Sequence, residues 1–235
     1  MTADLTALTE PTGFLDHDHP VVAGFVGRAL AGLGEGATDI DRAVRLYYAV
    51  RDGIHYDVYN ADLSRAGLTA SAVIGRGRGF CMHKSIVYAA AVRAAGIPSR
   101  ITYADVRNHL ASPRLRDLVG GDVFFHSLTT VHLDGRWVRA TPVFNKLLCR
   151  LYGMAPLEFD GRADSLHHPF NGDGIQHMEF LRFHGDFDDV PYDLVISTMR
   201  SKHPKFLSGT STTPAGSLVA EAAPGPSRPA AGPGH

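Results

Sequence analysis

The sequence reads as a mixed α+β chain, and three stretches carry that reading. An alanine-rich helical pattern begins at Cys81 and stops at Gly96, where glycine accepts the left-handed stop and Pro98 cannot continue the helix. Residues 99–106 then alternate as a strand. A β-rich run over 123–133 meets a returning run over 136–141 across Asp134-Gly135, a favoured two-residue hairpin turn.

Before these, a polar lead-in occupies 1–20. Its Asp16-His17-Asp18-His19 run precedes Pro20 and a helical pattern, where acids and turn formers belong, so it is not read as a metal tag. Residues 21–33 and 41–50 have helical spacing, with an apolar face at Val44, Tyr47 and Tyr48 in the second. Residues 54–57 are extended or irregular, and 69–74 form a short helical turn. Residues 108–121, with Pro113 and Gly120-Gly121, read as a loop. Beyond Cys149 the chain is rich in acids, histidines and aromatics, and only a short helix around 176–183 is expected. From residue 206 a Pro/Ala/Gly-rich tract has little to bury and is expected to be disordered.

The composition excludes several classes. The chain has 235 residues with a net charge of −1, so no nucleic-acid or anionic-membrane partner is expected. Two cysteines make no disulfide framework. The opening residues lack the basic start and apolar segment of a secretory signal, and no run of apolar residues is long enough to span a membrane. A cytoplasmic protein is expected.

The chemistry centres on Cys81. Gly75, Gly77 and Gly79 deliver it to the first turn of a helix, where unpaired N–H groups and the positive end of the dipole favour thiolate. The glycines leave room for a substrate backbone to approach. A thiol nucleophile needs a histidine to exchange protons with it and a third group to orient the ring. In the hairpin register Leu133 faces Arg136, which sets Thr141 opposite Leu128 and Val143 opposite His126. Thr141 is then a diagonal neighbour of His126, and Asn145 is another if the strand runs on past Pro142. His83 reads as a surface or supporting residue, His132 as structural, and Cys149 as a small buried hydrophobe. The histidines and acids of 177–189 have no standard metal-ligand spacing, so no metal and no cofactor are expected.

The ordered set Tyr56, Thr69-Ala-Ser-Ala-Val-Ile, Gly79-Phe80-Cys81, Ala95-Gly-Ile-Pro-Ser-Arg100, His126, Leu133-Asp-Gly-Arg-Trp137-Val and Thr141-Pro142 resembles the transglutaminase-like superfamily. The resemblance covers roughly 40–145 and is to bacterial transglutaminase-like domain proteins. It implies a papain-like α+β core, with the nucleophile-bearing helix packed on an antiparallel sheet. It also implies acyl transfer through a Cys81 thioester with His126 as acid and base, ending in hydrolysis or aminolysis. The substrate would be a small-molecule or peptide acyl donor, with an amine as an optional co-substrate. Thr141 stands where the superfamily usually has aspartate and is ranked first as orienting residue, with Asn145 as the alternative. Tyr56, Gly79, Phe80 and His177 are candidate substrate-pocket residues. The expected organisation is one domain over 1–205, with a core at about 40–145 and an extension over 146–205, then the disordered tail over 206–235. The alternative reading is a transglutaminase-like binding module weakened in catalysis by the missing aspartate.

Overall fold

The computed structural model describes residues 5–109, 111–166, 178–207 and 211–222. After a short 3-10 turn, α1 (Pro20–Leu30) and α2 (Asp39–Gly53) form, the latter opened by a capping box between Thr38 and Asp41. Strand β1 (His55–Tyr56), helix α3 (Ala70–Arg76) and strand β2 (Arg78–Gly79) lead to α4 (Cys81–Ala94). Then come β3 (Ser99–Asn108), α5 (Pro113–Val119), β4 (Val123–Leu133), β5 (Arg136–Ala140) and α6 (Lys146–Leu151). The described chain ends with β6 (Met178–Phe187), α7 (Tyr192–Lys202) and α8 (Leu218–Ala222).

Helix α4 is the centre of the molecule. Every residue from Cys81 to Arg93 is buried, so the helix is enclosed on all faces rather than striped. It packs against β3 and β4, and against α1, α2 and α3. The sheet runs β5-β4-β3-β6, every neighbour antiparallel. The hairpin has the expected register, Leu133 opposite Arg136, with Asp134 and Gly135 both at positive φ as a two-residue primed turn requires. Gly96, at φ +78°, follows the end of α4 as expected.

Two buried cations tie α4 into its surroundings. Lys84 donates from Nζ to the carbonyls of Arg51 (2.8 Å) and Ile54 (2.6 Å), satisfying acceptors at the C-terminal end of α2. Arg93 donates to the carbonyls of Glu10 (2.9 Å), Ser99 (2.8 Å) and Asp188 (2.6 Å). The Ser99 hydroxyl in turn donates to the carbonyl of Ala89 (3.1 Å), which explains the small polar residue after Pro98.

Three expectations are corrected. The loop expected over 108–121 contains α5, capped by the Ser112 hydroxyl on the N–H of Leu115 (3.1 Å) and stopped by Gly120. The helix expected around 176–183 is strand β6 from Met178 onward, paired with β3; residues 176 and 177 lie outside the described residues. The disordered tail does not begin at 206. Phe206 and Leu207 are buried, and residues 211–222 lie as a strap along the loop after β1. Backbone N–H groups of Asn60 and Leu63 donate to Pro214 and Ser211, and the buried Thr213 hydroxyl donates to the Val58 carbonyl (2.7 Å). The strap is held by backbone bonds that a count of apolar side chains does not register. No helix among the described residues is long and apolar enough to cross a membrane.

Candidate active site

Cys81 is the first residue of α4, preceded by Phe80 in extended conformation with no side-chain cap. The start of α4 meets β4 at Ser127, the neighbour of His126. The backbone N–H groups of Ser127, Met82 and Cys81 favour thiolate, but burial outweighs them and pushes the thiol up to about 12. The helix terminus thus acts in the expected direction, but burial acts the other way and is the larger effect. Only 5% of the residue is exposed.

His126 lies on β4 opposite Ala104 of β3, 3% exposed, with its ring edge-on to Phe180 of β6 at 5.7 Å. Cys81 and His126 line one cavity, together with Tyr56 and Phe80. Four of the residues expected at the site thus come together. The Tyr56 backbone pairs with Gly79, two residues before Cys81, and its ring packs edge-on to Phe144 at 4.7 Å. Its phenol is raised well above its ordinary value by burial first and by the neighbouring Cys81 second.

The other expected residues are placed differently. Gly79 makes room for a side chain rather than a substrate: a Cβ there would lie 2.5 Å from His83 Cβ and 2.6 Å from its Cγ. His83 itself is buried, not superficial, and donates from Nε2 to the Asp62 carbonyl (3.0 Å). Strand β5 ends at Ala140, one residue before Thr141. The Thr141 hydroxyl is buried and makes no hydrogen bond among the described residues, so it does not hold His126 through one. Nor does the strand run on past Pro142, because the Val143 N–H turns back to the Thr141 carbonyl (2.8 Å). Asn145 instead precedes α6 and accepts the Tyr56 N–H on Oδ1 (3.1 Å). It orients Tyr56. Cys149 is buried, as expected of a small hydrophobe, and burial raises its thiol to about 11. His177 lies outside the described residues.

One cavity residue had no local sequence signal. His203, just after α7, accepts the Phe125 N–H on Nε2 (3.0 Å), so Nδ1 carries the proton it donates to the Val119 carbonyl (2.9 Å). Burial lowers its pKa, keeping the ring neutral and the β4 backbone beside His126 fixed. Further out, Asp105 pairs with Lys202 and faces the His184 ring at 3.1 Å, and Asp188 pairs with Arg100, so these acids are taken up by partners of their own. Among the described residues no group of three or more His, Cys, Asp or Glu has the arrangement of a metal site.

A cysteine at the head of a buried helix, set against a histidine-bearing antiparallel sheet, defines a papain-like, cysteine-based α+β fold. The transglutaminase-like superfamily model matches residues 28–142, just under half of the chain, and over that stretch the chain is similar to a transglutaminase-like domain. Among solved structures the chain is similar to a candidate cysteine protease from Cytophaga hutchinsonii, at 15% identity and a TM-score of 0.45, covering 60% of this chain and 43% of that one. It is also similar to a candidate protease from Parabacteroides distasonis, at 14% identity and a TM-score of 0.36, covering 57% of this chain and 26% of that one. The chain thus spans under half of the first structure and about a quarter of the second. No curated protein matches it.

Proposed function

We propose that the protein is a thiol acyltransferase or amidase. Cys81 attacks the carbonyl of an amide, ester or thioester while His126 takes the thiol proton and passes it to the leaving group. The resulting thioester is resolved by water or by an amine. The observation that carries this reading is the shared cavity, which Cys81 at the head of α4 and His126 on β4 both line. Burial disfavours a free thiolate, so His126 takes the thiol proton as attack proceeds. The acyl donor we propose is a small molecule or peptide, used in the cytoplasm without a cofactor.

The binding-module reading is favoured by two observations, the Thr141 hydroxyl without a hydrogen bond and the raised Cys81 thiol. An activated-ester probe separates the two. For an enzyme, intact mass should show an acyl adduct on Cys81 that turns over, and both Cys81→Ala and His126→Ala should abolish turnover. An adduct that never turns over, or none at all, would leave the binding module.

A further inference from the structure

The Cys81 cavity is small, about 30 Å³, which is room for a water rather than a substrate. It adjoins a second space of similar size, with which it shares Tyr56, Asn108, Leu115 and Phe144. That inner space in turn shares Tyr56, Leu148 and Leu218 with an open surface groove of about 390 Å³. Tyr56 therefore borders all three, and the shared residues set the three spaces side by side between the surface groove and the sulfur.

The two spaces next to the sulfur are walled mostly by apolar side chains, whereas the groove sets its leucines and Val219 among His55, Asp57, Arg76 and Arg78. Phe144, Leu148, Met154 and Leu218 line the inner space. At the groove, Leu147, Leu151 and Val219 are 50%, 40% and 54% exposed. Three of the seven large apolar side chains exposed among the described residues thus converge on one groove. The wall contributed by the strap is α8, one turn of helix, held by Tyr152 on the Leu218 carbonyl (3.2 Å) and Tyr59 on Glu221 (2.5 Å). A peptide threaded through the two spaces next to the sulfur would leave its amides short of partners along their mostly apolar walls, whereas a hydrocarbon chain would lose only contact with water.

We infer that the acyl group accepted by Cys81 is a linear apolar chain that runs from the sulfur past Phe144 and Leu148, beneath Leu218, to the groove at Tyr56. This inference rests on the acyl-transfer reading above and names its substrate class. Leu218 sets the width of the passage, and entry requires α8 to shift outward. In the reaction, sulfur bonds the carbonyl carbon as the thiol proton passes to His126. The carbonyl carbon–oxygen bond of an ester breaks, and the alcohol or phenol leaves with that proton. Water then cleaves the thioester, releasing the carboxylic acid and restoring the thiol.

The test uses p-nitrophenyl acetate, butyrate, hexanoate and octanoate with the full chain, following phenolate release and the mass of the Cys81 adduct, with Cys81→Ala as blank. The acylation rate constant should rise at least about tenfold from acetate to octanoate, which requires only about two of the six added methylenes to be buried at roughly fourfold each. Leu218→Trp should bring the octanoate-to-acetate ratio toward one. If that variant does not fold, the wild-type series decides the matter alone. Acylation of Cys81 that is flat or falls with chain length would overturn the chain-binding inference and leave acyl transfer standing. Absence of any Cys81 adduct with all four esters would overturn acyl transfer itself, and this inference with it.

Discussion

Thr141 shows how far a single position departs from what the sequence suggests. A hydroxyl in the place of the usual aspartate suggests an orienting acceptor, yet it is 2% exposed and makes no hydrogen bond among the described residues. Replacing it by an isosteric apolar residue removes a buried polar group without breaking a bond. Thr141→Val should leave stability unchanged or raise it by up to about 1 kcal/mol, with turnover retained; denaturant melts and the ester assay check both. Loss of turnover in a folded variant would restore the orienting role. Gly79 carries the opposite lesson. A methyl there collides with His83 Cβ, an atom fixed to the backbone of α4 that no rotamer change can move. Gly79→Ala should cost roughly 1–3 kcal/mol, the usual range for overpacking, measured by chemical denaturation.

Legibility varied by element, and the reason was periodicity. Helix α4, strand β3 and the β4–β5 hairpin announce themselves through a helix stop, alternation and a two-residue turn. Cys81 and His126 sit on those same elements, so the candidate pair was legible too. Strand β6 was not, because most of its side chains are partly or fully exposed, leaving no apolar alternation to read, and no tight turn joins it to its neighbour β3 as one joins the other edge strand, β5, to β4. Helix α5 had its signals, Ser112-Pro113 before it and Gly120 after, but only seven residues to display them. Asn145 lies off the hairpin register because the chain turns after Pro142, with the Val143 N–H on the Thr141 carbonyl. His203 reaches the cavity from 77 positions after His126 with nothing nearby in sequence to mark it. The strap is the clearest miss. Truncation after residue 210 removes the buried Thr213 and Leu218 and the bonds to the loop after β1. It should destabilise the protein by roughly 2–4 kcal/mol and lower Tm by about 5–10 °C, read by calorimetry.

For the whole molecule, buried titratable groups set the pH range of stability. His83 has its pKa lowered from 6.5 to about 4, by burial first, because its Nδ1 has no hydrogen-bond partner to receive a second proton's charge. Between those values the unfolded chain binds a proton that the native state refuses. Stability therefore rises with pH across that window and is lost as pH falls through it. His203 and Lys84, also lowered by burial, act with the same sign, while Cys81 and Cys149, raised by burial, reverse it above about pH 9. His83→Gln should flatten the stability-against-pH curve between pH 4 and 6.5 relative to wild type. An unchanged slope would assign the acid limb to other groups.

The guanidinium of Arg93 joins three carbonyls that are far apart along the chain, at Glu10, Ser99 and Asp188. Opening any one of these segments alone would strand a buried charge without one of its acceptors, a penalty that deters fraying from either end. In hydrogen exchange, then, amides around residues 10, 99 and 188 should report one shared opening free energy rather than three local ones. Arg93→Lys, which keeps the charge but not the three-way reach, should split that common opening into separate ones.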